Sequence, residues 1–125
     1  MDDKRRQAFI GKVDAQSQER GWFFGHFMDE PLLRSDLVEV TWQRLPERVP
    51  ADDQRHLHRQ TVEINVVIAG TIELRINDVA HTFRRGDFFV IWPEAVVSDV
   101  RSDADAEMIV IRAPSVPGDK FPAPK

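Results

Sequence analysis

The sequence of 125 residues predicts an all-β sandwich or barrel. Three observations carry this prediction. About eight short runs either alternate between apolar and polar side chains or are rich in β-branched types. Turn signals containing Gly, Pro, Asn or Asp recur about every 8 to 12 residues. Almost no stretch shows the 3.6-residue period of an amphipathic helix.

The first part of the chain shows little regular pattern until an aromatic cluster at residues 22–27 (WFFGHF). We expect residues 1–12 to be a tail or a short lead-in element, and residues 14–20 to be a polar helical turn or a loop. The cluster could form a dimer interface or line a pocket. Because strand alternation buries one set of side chains, most of its aromatic rings are expected in the core. His26 is predicted to be packed or hydrogen-bonded there.

The strand-like segments begin near residue 37 and end near residue 111. Apolar residues at 38, 40 and 42 alternate with polar ones, and a turn-rich loop with two prolines follows over 45–53. Further strands are predicted at 61–69, 71–76, 79–83, 88–92, 96–100 and 108–111. Turns are expected at Asn77-Asp78 and Gly86-Asp87. The proline-rich residues after 113 cannot enter a central strand.

Composition and charge exclude several functional classes. The apolar runs are far shorter than the about 20 residues that a membrane helix needs, so no membrane span is expected. The chain has no cysteine, which excludes disulfides, thiolate metal sites and cysteine nucleophiles. Its 17 basic residues are scattered among 21 acidic ones, without the basic stripe typical of nucleic-acid binding. With no apolar leader at the N-terminus, we expect a cytoplasmic protein.

One group of residues carries the chemistry of a metal site. His56 and His58 stand two apart, so a strand would project both imidazoles from one face. Glu63 lies an odd step further, and a turn at 59–61 would return it to the side of the histidines. Asn65 shares the face of Glu63. Because a buried carboxylate needs a partner, a metal ion held by His56, His58 and Glu63 would satisfy it.

These residues are similar to a known family. The pattern His56-x-His58-x4-Glu63-x6-Gly70 resembles the first motif of the cupin superfamily, although the opening glycine of that motif corresponds to Pro50. The resemblance implies a cupin-type double-stranded β-helix, or jelly-roll, barrel that is commonly a homodimer and binds a divalent metal. We therefore expect the barrel over residues 13–113, between the lead-in at 1–12 and a proline-rich tail at 114–125.

The second cupin motif is incomplete. Gly86-Asp87 and Pro93 resemble its beginning, but the histidine position is Ser98. Asp99 is the nearby carboxylate, and a β-bulge would be required to turn it to the same side. Ser98 and Asp99 are therefore the candidate positions for a fourth ligand. Two histidines and one carboxylate suit iron, manganese, nickel or zinc.

Three functions are compatible with these residues. The first is a metal-dependent enzyme that acts on a small organic acid, sugar derivative or phenolic compound, with Asn65, Trp92 or Ser98 contacting the substrate; the pattern assigns neither the reaction nor catalytic residues. The alternative is a non-catalytic module that binds a sugar or nucleotide-sugar, with the metal weakly held or absent. The third is an interaction protein that uses residues 22–27 as its contact surface.

Overall fold

The computed structural model describes residues 3–45 and 55–124, which form ten β-strands in two antiparallel sheets of five. The predicted jelly-roll architecture is confirmed. The strands are β1 (Trp22–Phe24), β2 (Glu39–Arg44), β3 (His56–Leu57), β4 (Val62–Ala69), β5 (Thr71–Ile76), β6 (Val79–Arg84), β7 (Phe88–Ile91), β8 (Val97–Ser102), β9 (Glu107–Ala113) and β10 (Phe121–Pro122). Helical segments in this part of the chain are short turns, at Val13–Gln16, Glu19–Gly21 and Pro31–Leu33. None of them is long and apolar enough to cross a membrane. Residues 46–53 of the predicted turn-rich loop, Pro50 among them, lie outside the described residues.

The first sheet has the order β1-β2-β9-β4-β7 and forms one wall of the barrel. Its strand register aligns Thr41, Val110, Asn65 and Phe89 in a single row. All four are buried, whereas their neighbours along each strand are more exposed. The strands therefore alternate between barrel interior and exterior with period two. In β2 the buried set is the polar one, Glu39 and Thr41, whereas the apolar Val40 and Trp42 are only half-buried.

The second sheet has the order β10-β3-β8-β5-β6. Asn77 and Asp78 join β5 to β6 with φ angles of 49° and 67°, the left-handed pair that a tight hairpin requires. The C-terminal segment, which the sequence assigned to a separate tail, joins the barrel because Phe121 and Pro122 pair with β3. The proline lies on an edge strand, where a missing ladder hydrogen bond is tolerated.

The apolar core lies between the two sheets. Val67, Met108 and Val110 enter it from the first sheet, and Ile72 and Leu74 from the second. Each such side chain stabilises the fold by about 1.5–3 kcal/mol through burial. The core therefore holds the two sheets together around the site described next.

Candidate functional site in the barrel cavity

A cavity of about 780 Å³ lies between the sheets and contains the candidate site. Inward side chains of both sheets line it together with residues of the segment 13–21. Its apolar lining includes Ile72, Leu74, Phe89, Val97, Met108 and Val110. Its polar lining includes Asp14, Arg20, Arg44, His56, Glu63, Asn65, Arg112 and Lys120. The cavity therefore joins an apolar wall to a group of charged side chains, which suits a small polar ligand.

A row of three charged side chains crosses the first sheet. Glu39 on β2, Arg112 on β9 and Glu63 on β4 lie directly opposite one another. Arg112 Nε donates a hydrogen bond to Glu63 Oε2 at 2.7 Å, and Arg112 Nη1 lies 3.7 Å from Glu39 Oε2. The side chains of Glu39 and Glu63 are only 8% and 13% exposed. Since two enclosed carboxylates share one guanidinium, the row carries a formal charge of −1.

A histidine stands at each end of this row. His26 Nδ1 lies 3.9 Å from Glu39 Oε1 and is hydrogen-bonded with the hydroxyl of Ser115 at 2.6 Å, as expected for a hydrogen-bonded histidine. At the other end, His58 Nε2 lies 3.5 Å from Glu63 Oε2. The charged row therefore extends from one imidazole to the other.

The C-terminal segment fixes the protonation pattern of His58. His58 Nδ1 donates a hydrogen bond to the main-chain carbonyl of Asp119. Because a carbonyl oxygen can only accept a hydrogen bond, Nδ1 carries a proton. In the neutral ring, Nε2 then presents a lone pair. Nε2 is buried without a hydrogen-bond partner in the part of the chain that the structure describes. A lone pair that faces the Glu63 carboxylate is electrostatically unfavourable unless positive charge lies close by.

Asp119 also organises the turn between β3 and β4. Its carboxylate accepts hydrogen bonds from the backbone N–H groups of Arg59, Gln60 and Thr61, at 3.0 to 3.2 Å. These bonds hold the turn that the sequence predicted at 59–61, and they place Glu63 on the same side as His58. Sequence reasoning missed Asp119, because it lies about 60 positions from its partners and its segment has no periodic signal.

Two carboxylates of this region are held in the ionised form. Burial raises the pKa of Glu63, but the charge and hydrogen bond of Arg112, with smaller contributions from His58 and Asn65, lower it below its ordinary value. Burial likewise raises the pKa of Asp119, and the three backbone N–H donors outweigh it, so this pKa is also lowered. Glu63 and Asp119 are therefore both negatively charged at neutral pH.

The predicted metal ligands come only partly together. His56 and Glu63 line the same cavity, and the ring centroids of His56 and His58 are 5.6 Å apart at 84°. Glu63, however, accepts a hydrogen bond from the guanidinium of Arg112. Across residues 3–45 and 55–124, no group of three or more His, Cys, Asp or Glu side chains is arranged to hold a metal ion. The residues as placed therefore do not fit a three-ligand metal centre.

The other predicted site residues are dispersed. Asn65 is buried in the cavity wall and donates weakly to Phe89 O at 3.5 Å. Ser98 is buried outside the lining. The predicted irregularity at Asp99 is present, with φ of 53°, but its carboxylate pairs with Arg75 at 3.4 Å. Trp92 is 65% exposed and outside the cavity, because it continues the outward alternation of β7.

The residues that sequence reasoning missed have a readable signal in one case. Arg112 shares its period-two face with Met108 and Val110, which are both buried. A charged residue on the apolar face of a strand indicates a buried partner of opposite charge. Glu39 gives no such signal, because residues 39, 41 and 43 are the polar face of β2 in the sequence, although the structure buries Glu39 and Thr41. The strand pattern alone does not say that Glu39, Arg112 and Glu63 meet.

The sequence matches a known family. The model of the cupin domain matches residues 47–112, which are more than half of the sequence. The chain belongs to the cupin family. No curated protein matches the sequence of this cupin.

Several solved structures share the fold of this cupin at low identity. A Streptomyces Pac13 structure with uridine is 15% identical with a TM-score of 0.69, and the match covers 94% of this chain and 91% of that chain. An uncharacterised double-stranded β-helix protein from Klebsiella pneumoniae is 20% identical with a TM-score of 0.64, covering 95% and 100%. Oxalate decarboxylase from Bacillus subtilis is 18% identical with a TM-score of 0.58, covering 70% and 24%. At such identities the likeness shows the fold alone.

Proposed function

We propose that this cupin binds a small organic anion, carrying a carboxylate or a phosphate, in the barrel cavity. One observation carries the proposal. The charged side chains that line the cavity are four cations, at Arg20, Arg44, Arg112 and Lys120, and two anions, at Asp14 and Glu63, which gives the lining itself a formal charge of +2. Glu39 and Glu107, which pair with Arg112 and Arg44, lie outside that lining. The whole chain has a net charge of −4. Positive charge concentrated in the cavity of an acidic protein favours an anionic ligand.

The remaining lining supplies the other requirements of such a site. Arg112 uses Nε and Nη1 toward Glu63 and Glu39, so its planar guanidinium is already oriented when a ligand arrives. Asn65 adds a buried amide, and Phe89 adds an aromatic wall. Known relatives are consistent with a small-molecule ligand, since Pac13 structures contain uridine.

A binding panel tests the proposal. Full-length protein is titrated by calorimetry with small carboxylates, sugar phosphates and their neutral counterparts at low and moderate ionic strength. We expect the anions to bind more tightly than the neutral molecules and to weaken as salt is added. Arg20→Gln and Lys120→Gln are expected to weaken binding about tenfold each, the effect of about 1.4 kcal/mol. The matched control, Arg85→Gln, removes an exposed charge outside the cavity and should bind as the natural protein does. Equal affinity for neutral and anionic members would refute the proposal.

A second candidate is the metal-dependent enzyme that the sequence predicted, with iron, manganese, nickel or zinc held by His56, His58 and Glu63. The buried Nε2 of His58 favours it, because this lone pair faces a carboxylate. Elemental analysis of protein purified without a metal-affinity column tests it. One equivalent of metal that is lost in His56→Ala and in Glu63→Ala would support this candidate, and metal-free protein that binds anions would remove it.

We also propose a homodimer formed through the outer face of the first sheet. Val40, Ile111, Ile64 and Val90 form an outward apolar row in strand register. Beside it, Phe88 and Trp92 are 67% and 65% exposed, which leaves roughly 250 Å² of aromatic surface uncovered. A stable interface needs about 800 Å² from each partner, with an apolar centre of this kind. The row and the two rings could supply that centre in a second copy of the chain.

A further inference from the structure

We infer that Arg112 takes the place of a metal ion in this barrel. On this view the guanidinium supplies the positive charge at Glu63, the natural protein binds its ligand without a divalent cation, and removal of Arg112 creates a metal site at His58 and Glu63. The inference deepens the proposed function and rests on it for the role of the cavity. The inference is based on the atoms that surround one carboxylate oxygen.

That oxygen is Glu63 Oε2. Arg112 Nε lies 2.7 Å from it, and His58 Nε2 lies 3.5 Å from it. An ion bound by both His58 Nε2 and Glu63 Oε2 would stand about 2 Å from each. It would therefore lie within a few ångströms of the guanidinium. Repulsion between a divalent ion and a guanidinium at such a distance weakens binding by orders of magnitude, even at an effective dielectric constant of about 20.

Arg112 is held in this position by more than Glu63. The carboxylate of Glu39 lies 3.7 Å from Nη1, and the guanidinium carbon lies 4.9 Å from the centre of the Trp22 ring. Two carboxylates and one aromatic face thus surround a planar cation, which is the environment that arginine prefers. A metal ion could take Glu63 only by displacing a side chain that has these other partners.

The potential ligands are nevertheless oriented. The main-chain carbonyl of Asp119 accepts a hydrogen bond from His58 Nδ1–H, which directs the Nε2 lone pair toward Glu63. A backbone carbonyl in this role is a common support for a metal-binding histidine. His56 lines the same cavity, with its ring centroid 5.6 Å from that of His58. The site therefore keeps side chains that could bind a metal ion, while the guanidinium of Arg112 supplies the positive charge that the ion would bring to Glu63.

A cobalt titration tests the inference on chelator-treated, full-length protein. Co²⁺ binding is followed by visible absorbance and by calorimetry in the natural protein, Arg112→Met and Arg112→Lys. We expect Arg112→Met to bind one Co²⁺ at least 100-fold more tightly than the natural protein does. Arg112→Lys keeps the positive charge, so its Co²⁺ binding should stay as weak as that of the natural protein. The gain should disappear in Arg112→Met/His58→Ala, and Arg85→Met is the control for loss of an exposed arginine.

A second variant keeps the test decisive if Arg112→Met does not fold. Arg112→Met/Glu39→Gln removes one carboxylate together with the cation, so that the buried charge stays at −1, and it should show the same gain in Co²⁺ affinity. Tight, His58-dependent Co²⁺ binding by the natural protein, or no gain in either variant, would overturn the inference. Anion binding by the natural protein in the presence of chelator is measured separately. Anion binding that appears only when a divalent metal is restored would overturn the inference, whereas no anion binding with or without metal would refute the proposed function and leave the Co²⁺ result for Arg112 standing.

Discussion

Asp119 provides the sharpest test of how this site is held together. Replacement by Ala removes both carboxylate oxygens, which accept hydrogen bonds from three consecutive backbone N–H groups at 59, 60 and 61. Thr61 is 2% exposed, so its N–H has no access to water after the change. An unsatisfied buried donor costs about 1–3 kcal/mol. Arg59 and Gln60 are exposed, and their N–H groups can turn to solvent at a smaller cost, about 0.5–1 kcal/mol each.

The expected loss for Asp119→Ala is therefore about 3 kcal/mol in the free energy of unfolding. Asp119→Asn keeps one acceptor oxygen without the charge, and we expect it to lose about half as much. Urea denaturation at pH 7 measures both, with the slope of the transition checked against that of the natural protein. A loss below 1 kcal/mol for Asp119→Ala would refute the reasoning. So would equal losses for Ala and Asn, because the oxygen acceptor would then contribute nothing.

Further predictions concern acid stability, backbone strain and assembly. The folded pKa values of Glu63 and Asp119 lie below those of the unfolded chain. The stability that these carboxylates contribute is therefore present above the unfolded pKa, about 4, and is lost as pH falls through the folded pKa. Denaturation at stepped pH should show that the free energy of unfolding declines less steeply with acid in Glu63→Gln than in the natural protein. Gly70→Ala should destabilise the protein by about 2 kcal/mol or more, because φ is +72° and a Cβ would lie 2.6 Å from the Cα of Ala106. Thermal unfolding measures this loss, and the control is Gly86→Ala, at a positive-φ position where a Cβ would meet open space. Phe88→Glu/Trp92→Glu should run as a monomer in light scattering, and an unchanged dimer would exclude this face as the interface.

Much of the fold was predictable because it depends on local order. Alternation of apolar and polar residues gave most of the strands, and Asn77-Asp78 gave the hairpin, since a two-residue turn with positive φ depends on its own side chains. The pairing of His56 and His58, with a turn before Glu63, was likewise readable from spacing. The cupin family followed from the same residues, and the match over 47–112 confirms it.

The partners of those residues were not predictable in the same way. Glu63 and Arg112 are 49 positions apart, and His58 and Asp119 are 61 apart. Their meeting depends on the register of β4 against β9 and on the return of the C-terminal segment to the edge of β3. Register is fixed by the packing of whole strands, and a shift of one residue would turn every side chain to the other face.

The sequence by itself thus determined an all-β barrel with two imidazoles and a carboxylate near one another, because strand period and turn chemistry are local properties. Only the tertiary structure decided which cation meets that carboxylate. Arg112 reaches Glu63 because β9 lies between β2 and β4. Trp92 points outward because it continues the face of β7 that the barrel leaves outside, with Phe88 and Val90. The charge balance of a buried site depends on every strand that borders it, and no single segment contains that information.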